Sequence, residues 1–439
     1  MAQLIIPPQP VVLTPPSGAS TLPLVELDEG KVKTERRQVR LRKGSKKRKE
    51  ADCSFGNFVG SLPFTAWEFF HAAKKSELAS SFSAAQADRR AFAFAFEHEE
   101  TFIWNTSNFR KTDSAVFALE DFASSGLAGR VGEAVAYLTM VKRGYIFWDR
   151  CATVWERAAR QAKISHAEQL QVARYVASRV ASGRPQNEPD FVFEKSNGEV
   201  ALMEAKGSFV DPVKDNPSAK GDLRQALTQL AAWSGVIVPV PEKSFAIGTY
   251  LREEQDNGDD PSLIAFVDPP GEEILDFTSV RLPPDLIRRC NYGAWLTGMG
   301  LLSAGRSLRD SHRKAVEVIS LPVVEVANHK FAVVPLGWEP LAPERAMVIE
   351  PWWSEFAPLR PWVLSDSLFV MGIEVEVLQT LGEAIHGLDP AALKQIKVLE
   401  YAELSRATPQ GVHWSIMPDG SFIGTVARDQ FRNRGTFRL

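Results

Sequence analysis

Hydrophobic and polar positions change period several times along the chain, and each change marks an element. Leu127, Val131, Val135 and Leu138 fall three or four residues apart, which predicts a helix over residues 127–142 with one apolar stripe. Short apolar runs then predict strands at 145–148, 191–194, 200–206 and 245–251. Helical spacing returns over 167–182 and 223–233, with Asp222 as the N-cap of the second helix. Alternating strands and helices predict a mixed α/β domain spanning 126–270, in which the stretch between Arg150 and Gly183 is a largely helical insertion.

The flanking regions follow other patterns. Residues 1–50 read as a disordered tail, because Pro7, Pro8, Pro10, Pro15, Pro16 and Pro23 break any helix and a basic stretch follows. Residues 51–125 are aromatic, with Phe64, Trp67, Phe69 and Phe70 ahead of an Ala–Phe alternation over 91–96, and predict a small accessory subdomain. An aromatic stripe of this kind is either core or a base-stacking platform, and core is the commoner outcome. Residues 271–439 carry strand-like runs at 316–326 and 330–334 and predict a second, α+β domain whose task the sequence does not disclose.

Charge changes this picture in one place. Over 439 residues, 51 Lys and Arg stand against 54 Asp and Glu, a net charge of −3 that excludes a histone-like protein. Yet residues 31–50 hold eleven basic and two acidic side chains, a local charge of +9 that includes Arg36, Arg37, Lys46 and Lys47. Such a run is a solvated arm or a phosphate-binding one, and Arg428, Arg432, Arg434 and Arg438 form a second basic patch with the same two readings. Cys53, Cys151 and Cys290 are odd in number and far apart, which disfavours disulfides and a zinc ribbon and suits a reducing compartment, with Cys151 and Cys290 expected in the core. The proline-broken opening is a poor signal peptide and no apolar run is long enough to span a bilayer, so a cytoplasmic protein without membrane partners is expected.

Candidate chemistry gathers between residues 188 and 206. Two apolar runs flank Ser196-Asn197-Gly198, which predicts a β-hairpin with Gly198 in the left-handed position of a three-residue loop. That register puts Lys195 opposite Glu199 and Asp190 opposite Glu204. Since side chains alternate across a strand, Asp190, Glu204 and Lys206 then project from one side of the sheet. Opposed carboxylates, with Cβ atoms about 5 Å apart, repel each other unless a cation stands between them. Two carboxylates and the carbonyl of Ala205 are hard oxygen ligands that suit Mg2+, with Mn2+ as a substitute. Lys206 would lie beside the bound water as a positioner and electrostatic stabiliser; the alternative is that Asp190 is a strand-end carboxylate and Glu204 one partner of a salt bridge to Lys206.

Pro189-Asp190, the fourteen-residue separation and Glu204-Ala205-Lys206 resemble the motif of the PD-(D/E)xK nuclease superfamily. The resemblance extends to Glu133 on the preceding helix, placed away from the apolar stripe on the side of Tyr137 and Met140 and otherwise simply a surface residue, and to Gln225 and Gln229 on the following one, with Gln229 a departure where some members carry Tyr. It implies a restriction-endonuclease-like mixed sheet flanked by helices, with an N-terminal accessory segment and a C-terminal α+β domain. It also implies metal-dependent hydrolysis of DNA phosphodiester bonds, with Asp190, Glu204 and Ala205 holding the ion and Glu133 assisting. Gln225 and Gln229 are then phosphate contacts, or simply a solvated helix face. The biological settings it suggests are an endonuclease of a prokaryotic phage-defence or mobile-element system, acting as a homodimer or with a partner subunit in a defence or recombination complex. A secreted DNase toxin and a non-catalytic DNA-binding or assembly subunit are alternatives. No Walker A loop, GxSxG elbow or HExxH motif offers a competing chemistry, and the seven histidines are scattered singly.

Overall fold

The computed structural model describes residues 18–34, 56–79, 101–113, 121–178, 188–209, 219–234, 236–238, 241–254, 261–268, 280–310, 318–335, 367–387, 392–400, 413–427, 430 and 433–439. The Ala–Phe alternation at 91–96 lies outside them, as do Arg36, Arg37, Lys46, Lys47, Cys53, Arg428 and Arg432.

In chain order the first half contains β1 (Ala19–Glu26), α1 (Glu29–Thr34), β2 (Asn57–Thr65), α2 (Ala66–Ala79), β3 (Phe102–Ile103), β4 (Arg110–Lys111), α3 (Asp121–Lys142), β5 (Tyr145–Arg150), α4 (Cys151–Gln161) and α5 (His166–Ser178). There follow β6 (Phe191–Lys195), β7 (Val200–Phe209), α6 (Ala219–Ser234), β8 (Ile237–Val238), β9 (Lys243–Leu251), β10 (Leu263–Val267) and β11 (Val280–Arg281). The last third holds α7 (Leu286–Gly298), α8 (Leu302–Arg309), β12 (Val318–Val326), β13 (His329–Pro335), β14 (Ser367–Glu374), α9 (Val375–His386), α10 (Ala392–Gln395), β15 (Trp414–Ile416), β16 (Ser421–Ala427) and β17 (Arg434–Arg438).

A seven-stranded mixed sheet in the order β2-β1-β10-β9-β7-β6-β5 is the frame of the α/β part. The alternation of residues along its strands sorts two cores. Trp148, Phe191, Phe193, Ala201 and Met203 pack with α3 and α2 on one face, whereas Phe147, Val192, Leu202 and Ala246 pack with α4, α6 and α7 on the other. Helix α3 lies flat on β7 because both present glycine at the crossing: a Cβ on Gly207 would fall 1.8 Å from the carbonyl oxygen of Ala128, and one on Gly132 would fall 2.8 Å from the Cα of Gly207. Tyr137 and Met140, on the Glu133 side of this helix and away from the predicted stripe, are buried too, since α3 is covered nearly all round.

Several expectations change. Ala19–Glu26, read as part of a tail, is an interior strand of the sheet, antiparallel to β2 and parallel to β10. The alternation of buried Leu22 and Leu24 seats it, and Pro23, which has no N–H to donate, precedes the stretch where β10 pairs. The aromatic residues Phe64, Trp67, Phe69 and Phe70 are core side chains of β2 and α2. Helix α6 begins at Ala219, so Asp222 lies in its first turn and is not its N-cap.

The C-terminal part is a six-stranded antiparallel sheet, β15-β16-β14-β13-β12-β17, with α9 against it. Helix α7 joins it to the first sheet: Trp295 donates to the carbonyl of Gly372 (2.7 Å), Tyr292 meets Phe147 at 5.9 Å between ring centroids, and Arg288 donates to Glu194 at 2.7 Å. One apolar cluster runs from Phe147 and Val192 through α7 to Met371, Ile423 and Phe437.

Candidate active site

The β6–β7 hairpin has the register the sequence predicts: Phe191 pairs with Met203, Val192 with Leu202, Phe193 with Ala201 and Glu194 with Val200. Gly198 takes φ +92°, and Lys195 closes the turn by donating from its N–H to the carbonyl of Glu199 at 2.9 Å. Asp190 and Glu204 stand at the open end of this ladder and lock each other through the backbone. The N–H of Asp190 donates to Glu204 Oε2 (3.0 Å), and the N–H of Ala205 donates to Asp190 Oδ2 (2.9 Å). Lys206 Nζ donates to Glu204 Oε1 at 2.6 Å. The three residues the sequence singled out are thus one hydrogen-bonded unit, with the Glu204 side chain 3% exposed and Asp190 opening outward at 27%.

Burial, then the neighbouring Asp190 charge, pushes the Glu204 carboxyl up to about 7. Burial also raises Asp190, with the charge of Glu133 adding to it, while the N–H of Ala205 and the cations Arg150 and Lys206 pull the other way. Two carboxylates that resist ionising together are what the opposed register leads one to expect.

Glu133 reaches the cluster from the α3 face, but its carboxylate is taken. Arg150, at the end of β5, forks onto it with Nη1 to Oε1 at 2.9 Å and Nη2 to Oε2 at 2.6 Å, and the Ser76 hydroxyl also donates to Oε2. Nη1 of Arg150 lies 3.9 Å from Asp190 Oδ1. Gln229 is buried on α6 and donates to the carbonyl of Glu188 at 2.9 Å, fixing the segment that leads into Asp190, whereas Gln225 is exposed. Next to Lys206, Tyr250 donates to Asp222 at 3.4 Å, and burial raises the Asp222 carboxyl while Lys206 lowers it. Arg150, Ser76 and Tyr250 were not singled out in the sequence, and Asp222 only as a helix cap. The one local signal for Arg150 is a charge closing the apolar run 145–148, and its meaning depends on β5 pairing with β6 across the helical insertion.

Cys151 and Cys290 are buried, and burial pushes both thiols up, Cys290 to about 12, so neither is poised as a nucleophile. Among the described residues no group of three or more His, Cys, Asp or Glu side chains is gathered as a metal cage. Asp190, Glu204 and the Ala205 carbonyl are hard oxygen donors of the kind that suit Mg2+, which keeps several waters and is commonly held by one or two carboxylates, although Glu204 Oε1 and Oε2 and Asp190 Oδ2 each already accept a hydrogen bond. No helix among the described residues is long and apolar enough to cross a membrane. Fold and site together define a mixed α/β protein with paired carboxylates and a lysine at one end of a hairpin. A scan against protein-family models, a search of curated proteins and a search of solved structures each returned no match.

Proposed function

We propose that the chain is a divalent-metal-dependent nuclease of the PD-(D/E)xK type that hydrolyses DNA phosphodiester bonds, an endonuclease of a prokaryotic defence or mobile-element system. The observation that carries this reading is the lock between Asp190 and Glu204, with Lys206 bonded to the same carboxylate. These bonds hold two carboxylates side by side at a hairpin end, and burial together with the Asp190 charge raises Glu204, a combination common where carboxylates do chemistry.

Asp190, Glu204 and the carbonyl of Ala205 would hold a Mg2+ or Mn2+ ion, which lowers the pKa of bound water and offsets charge on a phosphoryl oxygen. Asp190, the more open carboxylate, presents the donor facing solvent. Lys206 shares the face of Glu204 and keeps a positive charge beside the incoming phosphate. Gln229, by holding the Glu188 carbonyl, keeps Asp190 in register with Glu204. The basic arm over residues 31–50 would bring the polyanion to the site.

Purified protein incubated with plasmid, linear duplex, single-stranded DNA and RNA, in Mg2+ or Mn2+, tests the reading. Cleavage of DNA that disappears in Asp190→Ala and Lys206→Ala proteins supports it. A second reading, a DNA-binding or assembly subunit without catalysis, is favoured by one feature: Glu133 is already paired with Arg150. Mn2+ titration separates the two, because a pure binding module shows no Mn2+ site that is lost on Glu204→Ala.

A further inference from the structure

Arg150 is held more firmly than a surface arginine. Its guanidinium lies 4.3 Å over the ring of Phe191, which is fully buried, and its two terminal nitrogens fork onto the two oxygens of Glu133. Nη2 also donates to Ser76 Oγ at 3.2 Å. A fork of this kind fixes the plane of the guanidinium as well as its position. What it leaves open is the side toward Asp190, where Nη1 is 3.9 Å from Oδ1, beyond a hydrogen bond yet close enough to be felt electrostatically. Arg150 packs on Phe191 at the α3 face of the sheet, Lys206 is bonded to Glu204, and both cations act on the Asp190 carboxylate.

A phosphodiester approaching two carboxylates meets repulsion, and Lys206, already bonded to Glu204, offsets only part of it. We propose that Arg150 binds the non-bridging oxygens of the scissile phosphate, and that Glu133 and Ser76 are positioning residues that aim Arg150, so that Glu133 is not a metal ligand. This rests on the nuclease reading and reverses the role that the resemblance gives Glu133. The two oxygens of Glu133 carry three bonds, two from the Arg150 fork and one from the Ser76 hydroxyl, whereas each oxygen of Glu204 carries one and, among the described residues, Asp190 Oδ1 carries no hydrogen bond, only the 3.9 Å approach of Arg150.

The test measures Mn2+ binding by electron paramagnetic resonance and DNA cleavage on the same full-length proteins, with thermal melts to confirm folding. Glu204→Gln is expected to abolish the saturable Mn2+ site, while Glu133→Gln and Arg150→Met keep it at wild-type affinity. Arg150→Met should lower kcat/KM for DNA on the order of 10²–10³-fold, the scale of removing one charge-stabilising donor. Glu133→Gln should lower kcat/KM by roughly 10- to 100-fold, as expected for an orienting partner. Arg150→Lys, which keeps the charge and loses the fork, should fall between wild type and Arg150→Met. Loss of Mn2+ binding in Glu133→Gln makes Glu133 a ligand and overturns the proposal, as does wild-type cleavage by Arg150→Met. If the wild-type protein cleaves no DNA, the nuclease reading itself fails, an outcome distinct from either of these.

Discussion

At the scale of single residues, two buried electrostatic groups dominate, and they behave oppositely. Glu204 and Asp190 are raised above their ordinary values, so the folded protein binds protons more readily than the unfolded chain over the same range. Stability from this source is complete below the unfolded carboxylate range and is lost as pH rises through about 7. Denaturant unfolding of wild type and Glu204→Gln should show the variant gaining on wild type between about pH 5 and about pH 8; parallel curves would contradict the shift. The second group is an ion pair between Lys75 of α2 and Asp419 in the β15–β16 turn, both almost wholly buried. Burial alone would raise Asp419, yet the Lys75 ammonium and donors from Ser421 and Asn291 hold it below its usual value. His71, bonded to Ser415 and Ser421, is lowered by burial and by the Lys75 charge, and so stays neutral beside this pair. Asp419→Ala should cost about 3–5 kcal/mol in unfolding free energy, because it strands the lysine, and the double variant Lys75→Met/Asp419→Leu should recover much of that.

At the scale of elements, the site depends on how closely α3 can lie on β7. Gly207→Ala would drive a methyl group into the Ala128 carbonyl, so the helix must lift from the strand. The expected result is a loss of about 1–3 kcal/mol in stability, read from denaturant midpoints, with Glu133 and Arg150 displaced from Asp190. The same scale shows what the sequence could and could not disclose. The hairpin was legible to the residue because its register follows from local turn chemistry, Gly198 at positive φ and two short apolar runs, and the Asp190–Glu204–Lys206 unit came with it. Strand β1 was not, since its proline-rich surroundings suggest a tail and its partner β10 lies far along the chain. Helix α7 was hidden for a different reason: twelve of its thirteen residues are buried, so it has no polar face to give a period. Arg150 was missed because its role depends on α2, α3 and β6 converging on the end of β5, which no spacing rule encodes.

At the scale of the whole molecule, the two sheets share a core. Trp67 of α2 stacks on Phe369 of β14 at 6.1 Å between centroids, and α7 bonds to both sheets. A chain ending near residue 270 would leave Phe147, Val192 and Trp67 without the partners that cover them, so calorimetry of the intact protein should show one cooperative transition and not two. The near-neutral total charge is likewise an average over unlike parts. A +9 stretch at residues 31–50 offsets an acidic remainder in which Glu133, Asp190 and Glu204 converge. The account stands most directly on cleavage of plasmid and linear duplex DNA in Mg2+ or Mn2+ by wild-type, Asp190→Ala and Lys206→Ala proteins. It predicts metal-dependent scission by the wild-type chain that both substitutions abolish; cleavage undiminished by either substitution, or none in the wild type, would contradict it.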